Sequence, residues 1–123
     1  MFEITITREF AAGHAIRLYD GSLEPVHGHN WLTKVTIAAE TLDEIEVVAD
    51  FHDIEKALDT LIAQAHNRHL NEIEPFVSGV NPTAERVAWW IAEHMKNHVP
   101  PHAKLSSVSV GEAPGCTATY RPK

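Results

Sequence analysis

Nine of the 123 residues are histidine, the commonest protein metal ligand and the side chain that titrates near neutral pH. Three of them are spaced to converge. His27-Gly28-His29 is an i, i+2 pair, and on a strand that period aims both imidazoles to the same side, with Gly28 leaving room between them. His14 closes the run Phe10-Ala-Ala-Gly-His14; if the two segments form an antiparallel hairpin, the end of one strand lies beside the start of the next. Three histidines without a fourth protein ligand are the donor set of a catalytic zinc site, whose open position takes water or substrate and whose metal acts as a Lewis acid. An isolated H-x-H is also what two polar residues at a strand end look like in a His-rich chain, so the pair alone does not decide between the two.

The other six histidines separate by position. His94 falls on an apolar helical stripe and is expected to be a partly buried, hydrogen-bonded imidazole. His98 and His102 flank Pro100-Pro101 and are expected at the surface, and His52 reads as a turn residue before a helix. His66 and His69 lie in the loop after that helix, where function concentrates more than in packed elements. Among the acids, Glu112 precedes Ala113-Pro114-Gly115 at the end of a strand. A carboxylate there can grip a guanidine-like edge through two parallel hydrogen bonds; the plainer alternative is a solvated turn acid.

The elements that must position these groups follow from periodicity. Phe2, Ile4 and Ile6 alternate with Glu3, Thr5 and Thr7, giving a strand over Met1 to Phe10, and Trp31 to Ala39 alternates likewise. Asp20-Gly21 between them is a turn signal that suits an antiparallel pair. From Asp53, the expected N-cap, Ile54, Leu58, Leu61, Ile62 and Ala65 recur at helical spacing, and this helix is expected to end near His66-Asn67. A second helix starts at Asn81-Pro82-Thr83, with Asn81 as cap and Pro82 at the first position; its stripe is Val87, Trp90, Ile91, His94 and Met95. Pro100-Pro101 stops it. Leu105, Val108 and Val110, then Cys116 to Tyr120, give two more strands around a Pro114-Gly115 turn. The order ββααββ over 1–123 is one α+β domain, a four-stranded antiparallel sheet with two helices on one face. Such a sheet leaves its other face and both edges open, so association with further copies of the chain is expected.

Composition removes several functions. Ten basic and seventeen acidic residues give a net charge of −7, which argues against a nucleic-acid partner, because phosphate binding rests on clustered Lys and Arg. No run approaches the roughly 18 apolar residues of a membrane span, and Met-Phe-Glu-Ile-Thr lacks a basic region followed by an apolar run, so the chain is expected to be soluble and unexported. Cys116 is the lone cysteine, as expected of a cytoplasmic protein.

Taken in order, Phe10-Ala-Ala-Gly-His14, His27-Gly-His29-Asn30, Asp50-Phe51, His69-Leu70-Asn71, Asn81-Pro-Thr83-Ala-Glu85 and Glu112 through Tyr120-Arg121 resemble the 6-pyruvoyl-tetrahydropterin synthase and 6-carboxy-tetrahydropterin synthase family over nearly the whole chain. The resemblance implies a T-fold assembled as a homohexamer of two stacked trimers, with sites between subunits. It implies zinc held by His14, His27 and His29, a pterin ring anchored by Glu112, and Thr83 lining the pterin pocket. Three positions that move protons in the family are not kept. The cysteine that precedes H-G-H there is absent from Gly21-Ser-Leu-Glu-Pro-Val26, where Glu24 is the only ionisable side chain, and the family's Asp-His pair falls at His66 and Asn67. Asparagine cannot shuttle a proton at neutral pH. Some relatives resemble this chain in carrying glutamate for that cysteine, and their activity is similar to releasing the side chain to leave 6-hydroxymethyl-dihydropterin. The resemblance therefore implies a zinc-dependent lyase acting on a pterin such as 7,8-dihydroneopterin triphosphate, with Glu24 or His66 as base, or else a pterin-binding protein without synthase chemistry.

Overall fold

The computed structural model describes residues Met1–Lys123. Two 13-residue strands, β1 (Phe2–His14) and β2 (His27–Ala39), pair antiparallel over their whole length, from Phe2 opposite Ala39 to His14 opposite His27. Both run further than their alternation suggests: β1 continues four residues past Phe10, and β2 begins four residues before Trp31. The intervening loop closes on itself, with Glu24 N–H donating to Ile16 O, Arg17 bridged to Leu23, and Gly21 in the left-handed region at φ 87°.

Helix α1 (Phe51–Ile62) is capped by Asp50, whose carboxylate accepts from His52 N–H at 2.8 Å, rather than by Asp53, which sits in the first turn. It also ends sooner than its apolar spacing implies. Ala65 stays buried, but the chain turns through Asn67 in the left-handed region at φ 60°, and Asn67 N–H donates to Ala11 O. That reversal lays a two-residue strand, β3 (Arg68–His69), parallel to β1 at Ala12 and Gly13. Helix α2 (Ala84–Met95) is capped by Thr83, whose hydroxyl accepts from Arg86 N–H at 3.1 Å. Asn81 does not serve as cap because its amide is committed to Arg17. Strands β4 (Lys104–Ala113) and β5 (Cys116–Tyr120) complete a sheet in the order β3-β1-β2-β4-β5. The α+β class and the two helices are as expected; the sheet has five strands and is mixed, because β3 adds one parallel pair to four antiparallel strands.

One face of the sheet carries the core. Ile6, Phe10 and Ala12 of β1, Trp31, Val35 and Ile37 of β2, and Val108 and Val110 of β4 are buried against Ile54, Leu58 and Leu61 of α1 and Val87, Ile91 and Met95 of α2. Trp31 stacks on Phe10 with ring centroids 6.1 Å apart and donates its indole N–H to Ala12 O. Removing such a side chain costs about 3–5 kcal/mol. The face therefore serves a second purpose, since the same parity that buries Phe10, Ala12 and Trp31 sends His14 and His29 inward at the open end of the sheet.

Candidate metal centre and adjoining cleft

His14, His27, His29 and Glu112 each offer one ligand atom, and these four atoms lie within 4.8 Å of one another. The register explains the meeting. His14 is the direct partner of His27, Ala12 that of His29, and Glu112 shares the inward parity of Val108 and Val110 on β4. The β4–β5 register shifts between Gly111 and Ala113, and an irregularity of that kind re-aims the side chain it carries.

For His14 and His27 the chemistry is set by the nitrogen that faces away from the group. His14 Nδ1 lies 2.7 Å from Pro82 O and His27 Nδ1 lies 3.0 Å from Pro25 O. A carbonyl can only accept, so both Nδ1 atoms carry the proton and both Nε2 atoms present a lone pair. His14 is fully buried, and burial holds its imidazole below the ordinary value, with His27 and His29 adding to the effect while the Pro82 carbonyl and Glu112 oppose it. The neutral form that ligates metals is thereby favoured. Glu112 Oε1 stands 3.1 Å from His14 Nε2 and 3.4 Å from His29 Nε2, yet both nitrogens are buried without a hydrogen-bond partner. At His14 a lone pair faces a carboxylate oxygen, an arrangement that repels unless a cation lies between them. The residues fit a metal ion, and three borderline imidazoles with one carboxylate suit a first-row divalent ion such as zinc. Trp31 walls the group, 4.9 Å from His14 and 5.6 Å from His29 between ring centroids.

Glu24 joins the group from the loop. Its Oε1 accepts from Ile16 N–H at 3.0 Å and lies 3.7 Å from His27 Nε2. His66 does not join the group; its Nδ1 accepts from Ala11 N–H at 3.2 Å, at the β1 edge. Thr83 meets the centre through its neighbour, since Pro82 supplies the carbonyl that orients His14 while the Thr83 hydroxyl caps α2. His69 accepts from Asn71 N–H and starts a 3₁₀ turn. Of the remaining histidines, His94 is half-buried on α2 as expected, and His102 has a buried Nε2 without a partner instead of full surface exposure.

Sequence reading missed two side chains that hold the segment after His14. Asn71 accepts from Ala15 N–H at 2.9 Å and donates to Ala15 O at 2.8 Å. Asn81 does the same for Arg17, at 2.8 and 3.0 Å. Both asparagines stand in the motifs quoted above, but a motif does not state what an amide touches 56 or 64 residues away. Between the two clamps, Ile16 N–H is held where Glu24 can use it.

Comparison with known proteins now decides the lineage. The sequence profile described as 6-pyruvoyl tetrahydropterin synthase matches residues 3–123. The chain belongs to this family. It is 31% identical over 103 residues to the dihydroneopterin monophosphate aldolase of Pyrococcus furiosus, covering 84% of this chain and 82% of that one. It is 28% identical over 139 residues to the 6-carboxy-5,6,7,8-tetrahydropterin synthase of Rickettsia bellii, covering 94% and 97%. The structure of the Caenorhabditis elegans 6-pyruvoyl tetrahydropterin synthase superposes with a TM-score of 0.83 over 100% of this chain and 98% of that one, at 24% identity, which fixes the fold. No helix is long and apolar enough to cross a membrane.

Proposed function

We propose that the chain is a zinc-dependent carbon–carbon lyase that acts on a phosphorylated 7,8-dihydroneopterin, the triphosphate or a near relative such as the monophosphate. The observation that carries this reading is the carboxylate of Glu24 standing 3.7 Å from His27 Nε2, beside three converged imidazoles. Similarity to an aldolase named for the monophosphate, rather than to synthases alone, points the same way. His14, His27 and His29 would hold the ion, which when bound would supply Lewis-acid polarisation of the side-chain oxygens. Glu24 takes the proton of the 2′-hydroxyl, the C1′–C2′ bond breaks, and its electron pair passes into the ring. A proton is then returned to C1′, leaving 6-hydroxymethyl-dihydropterin and a phosphorylated two-carbon aldehyde. Glu24, which then holds that proton, is the group we assign to its return; His66, whose Nδ1 accepts from Ala11 N–H at the β1 edge, is a neutral imidazole there and takes no part as donor. Glu112 and Thr83 are assigned to the pterin ring.

Incubating the zinc-loaded protein with 7,8-dihydroneopterin monophosphate and triphosphate, with mass spectrometry of all products, tests the reaction; loss of two side-chain carbons is the expected outcome. A second reading, a pterin-binding protein without turnover, is favoured by one observation: Asn67 stands where the family keeps a titrating residue, and its backbone N–H, not its side chain, is what engages β1. Unchanged substrate retained by the protein would select it. We further propose a homohexamer of two trimers, which the exposed Phe2, Ile45 and Phe51 around an apolar depression support, and a cytoplasmic location, which suits the exposed free thiol of Cys116.

A further inference from the structure

Glu112 is placed to do two things that it cannot do at once. Its Oε1 points at both His14 Nε2 and His29 Nε2, while its Oε2 enters no hydrogen bond or ion pair. The same residue lines a cleft of about 600 Å³ together with Glu9, Gly28, His29, Asn30 and Gly115. A carboxylate grips a planar pair of N–H donors through both oxygens in parallel. With one oxygen turned to the imidazoles it has only one to offer the cleft.

We propose that Glu112 is a fourth metal ligand in the ligand-free protein and is drawn off the ion by the guanidine-like edge of an incoming pterin. The inference rests on the pterin reading above and adds a selectivity device to it. A closed set of three histidines and a carboxylate has no open position for substrate, whereas a catalytic zinc site needs one. Release of Glu112 opens that position only when a ring with two adjacent N–H donors occupies the cleft. The β4 irregularity beside Glu112 gives its side chain two places to go, since Gly111 and Ala113 pair with β5 and Glu112 does not. Gly28, in the same cleft, adds no obstruction, because a Cβ there would meet nothing within 4 Å.

Two ligands that compete for one residue must weaken each other by the same factor. The test uses Zn²⁺, measured by chelator competition, and unsubstituted pterin, which carries the ring edge but no side-chain hydroxyl to touch the ion. Saturating pterin is expected to weaken Zn²⁺ binding about tenfold, and saturating Zn²⁺ to weaken pterin binding by the same factor. Glu112→Ala and Glu112→Gln, the second keeping the side chain's length in case the first does not fold, are each expected to bind Zn²⁺ about tenfold more weakly without pterin and to show no coupling. Zn²⁺ affinity unchanged in both variants, or independent binding of Zn²⁺ and pterin to the unmodified chain, overturns the inference while leaving the pterin reading intact. Failure of pterin to bind either the zinc-loaded or the zinc-free chain overturns both.

Discussion

Two histidine groups in this molecule have nearly the same ring spacing and opposite prospects. His94 in the last turn of α2 and His98 in the 3₁₀ turn that follows it have ring centroids 5.0 Å apart; His14, His27 and His29 lie 4.7 to 5.0 Å apart. Burial lowers the proton affinity of His94 and of His14 alike, with His98 adding to the first. What separates the groups is the nitrogen that does not face its neighbours. Pro82 and Pro25 carbonyls fix the tautomer of His14 and His27, a carboxylate faces the Nε2 atoms, and two of those atoms are buried without partners. Proximity of imidazoles is helical or strand geometry; a site requires that each lone pair be aimed and held.

The comparison breaks most sharply at His14. His14→Ala is expected to lower Zn²⁺ affinity by more than about a hundredfold, beyond what loss of a supporting partner costs, whereas His94→Ala leaves it unchanged; chelator competition on the two variants decides. If both weaken zinc equally, the two groups do not differ as argued.

Next in size is Glu24, the carboxylate that the α2 pair lacks. Glu24→Gln is expected to reduce turnover of phosphorylated 7,8-dihydroneopterin by about 10²–10⁴-fold, the range for a positioned general base, while Zn²⁺ stoichiometry stays the same. Turnover within a few-fold of the unmodified chain would exclude Glu24 as the base.

The clamps beneath His14 predict a smaller, structural effect. Asn71→Ala strips both backbone groups of buried Ala15 of their partners and is expected to destabilise by about 1–3 kcal/mol in urea unfolding. Asn71→Asp can still accept from Ala15 N–H but turns a carboxylate oxygen towards Ala15 O, so its loss should be at least as large although the shape is kept. A loss near zero in Asn71→Asp would show that only the packing of residue 71 matters.

The smallest effect sharpens the comparison at α2 itself. A histidine whose folded-state affinity for protons is depressed binds fewer protons folded than unfolded. Its contribution is therefore fully present above the ordinary imidazole value of about 6.5 and is lost as pH falls through that value towards the lower folded one. For His94 the depression comes first from burial. His94→Gln should make the fall in Tm between pH 7 and pH 5 shallower than in the unmodified chain. Parallel Tm curves for the two proteins would remove His94 from the pH dependence.

Much of this was legible in the chain because it is periodic. The alternation at Phe2, Ile4 and Ile6 and at Trp31 to Ile37 determined which faces of β1 and β2 are buried, and parity alone then put His14 and His29 inward. The positions of His14, His27 and His29 marked the three imidazoles of the metal group, whereas Glu112 was expected to grip a ring edge and joins the imidazoles only in the fold. The helix stripes named the buried residues of α1 and α2, because 3.6-residue periodicity is a local property.

Only the tertiary structure decided the rest, and in each case a partner distant in sequence was involved. The cap of α2 moved from Asn81 to Thr83 because the Asn81 amide binds Arg17. Helix α1 stopped early because Asn67 turns to reach Ala11, which also created β3. The register that sets His14 opposite His27 brought the carbonyl of Pro82 to one Nδ1 and the carboxylate of Glu112 to the Nε2 atoms. Local pattern specifies which face a side chain takes, since that depends on the backbone's own period. Which atom it then meets depends on how distant segments pack, and no local period encodes that.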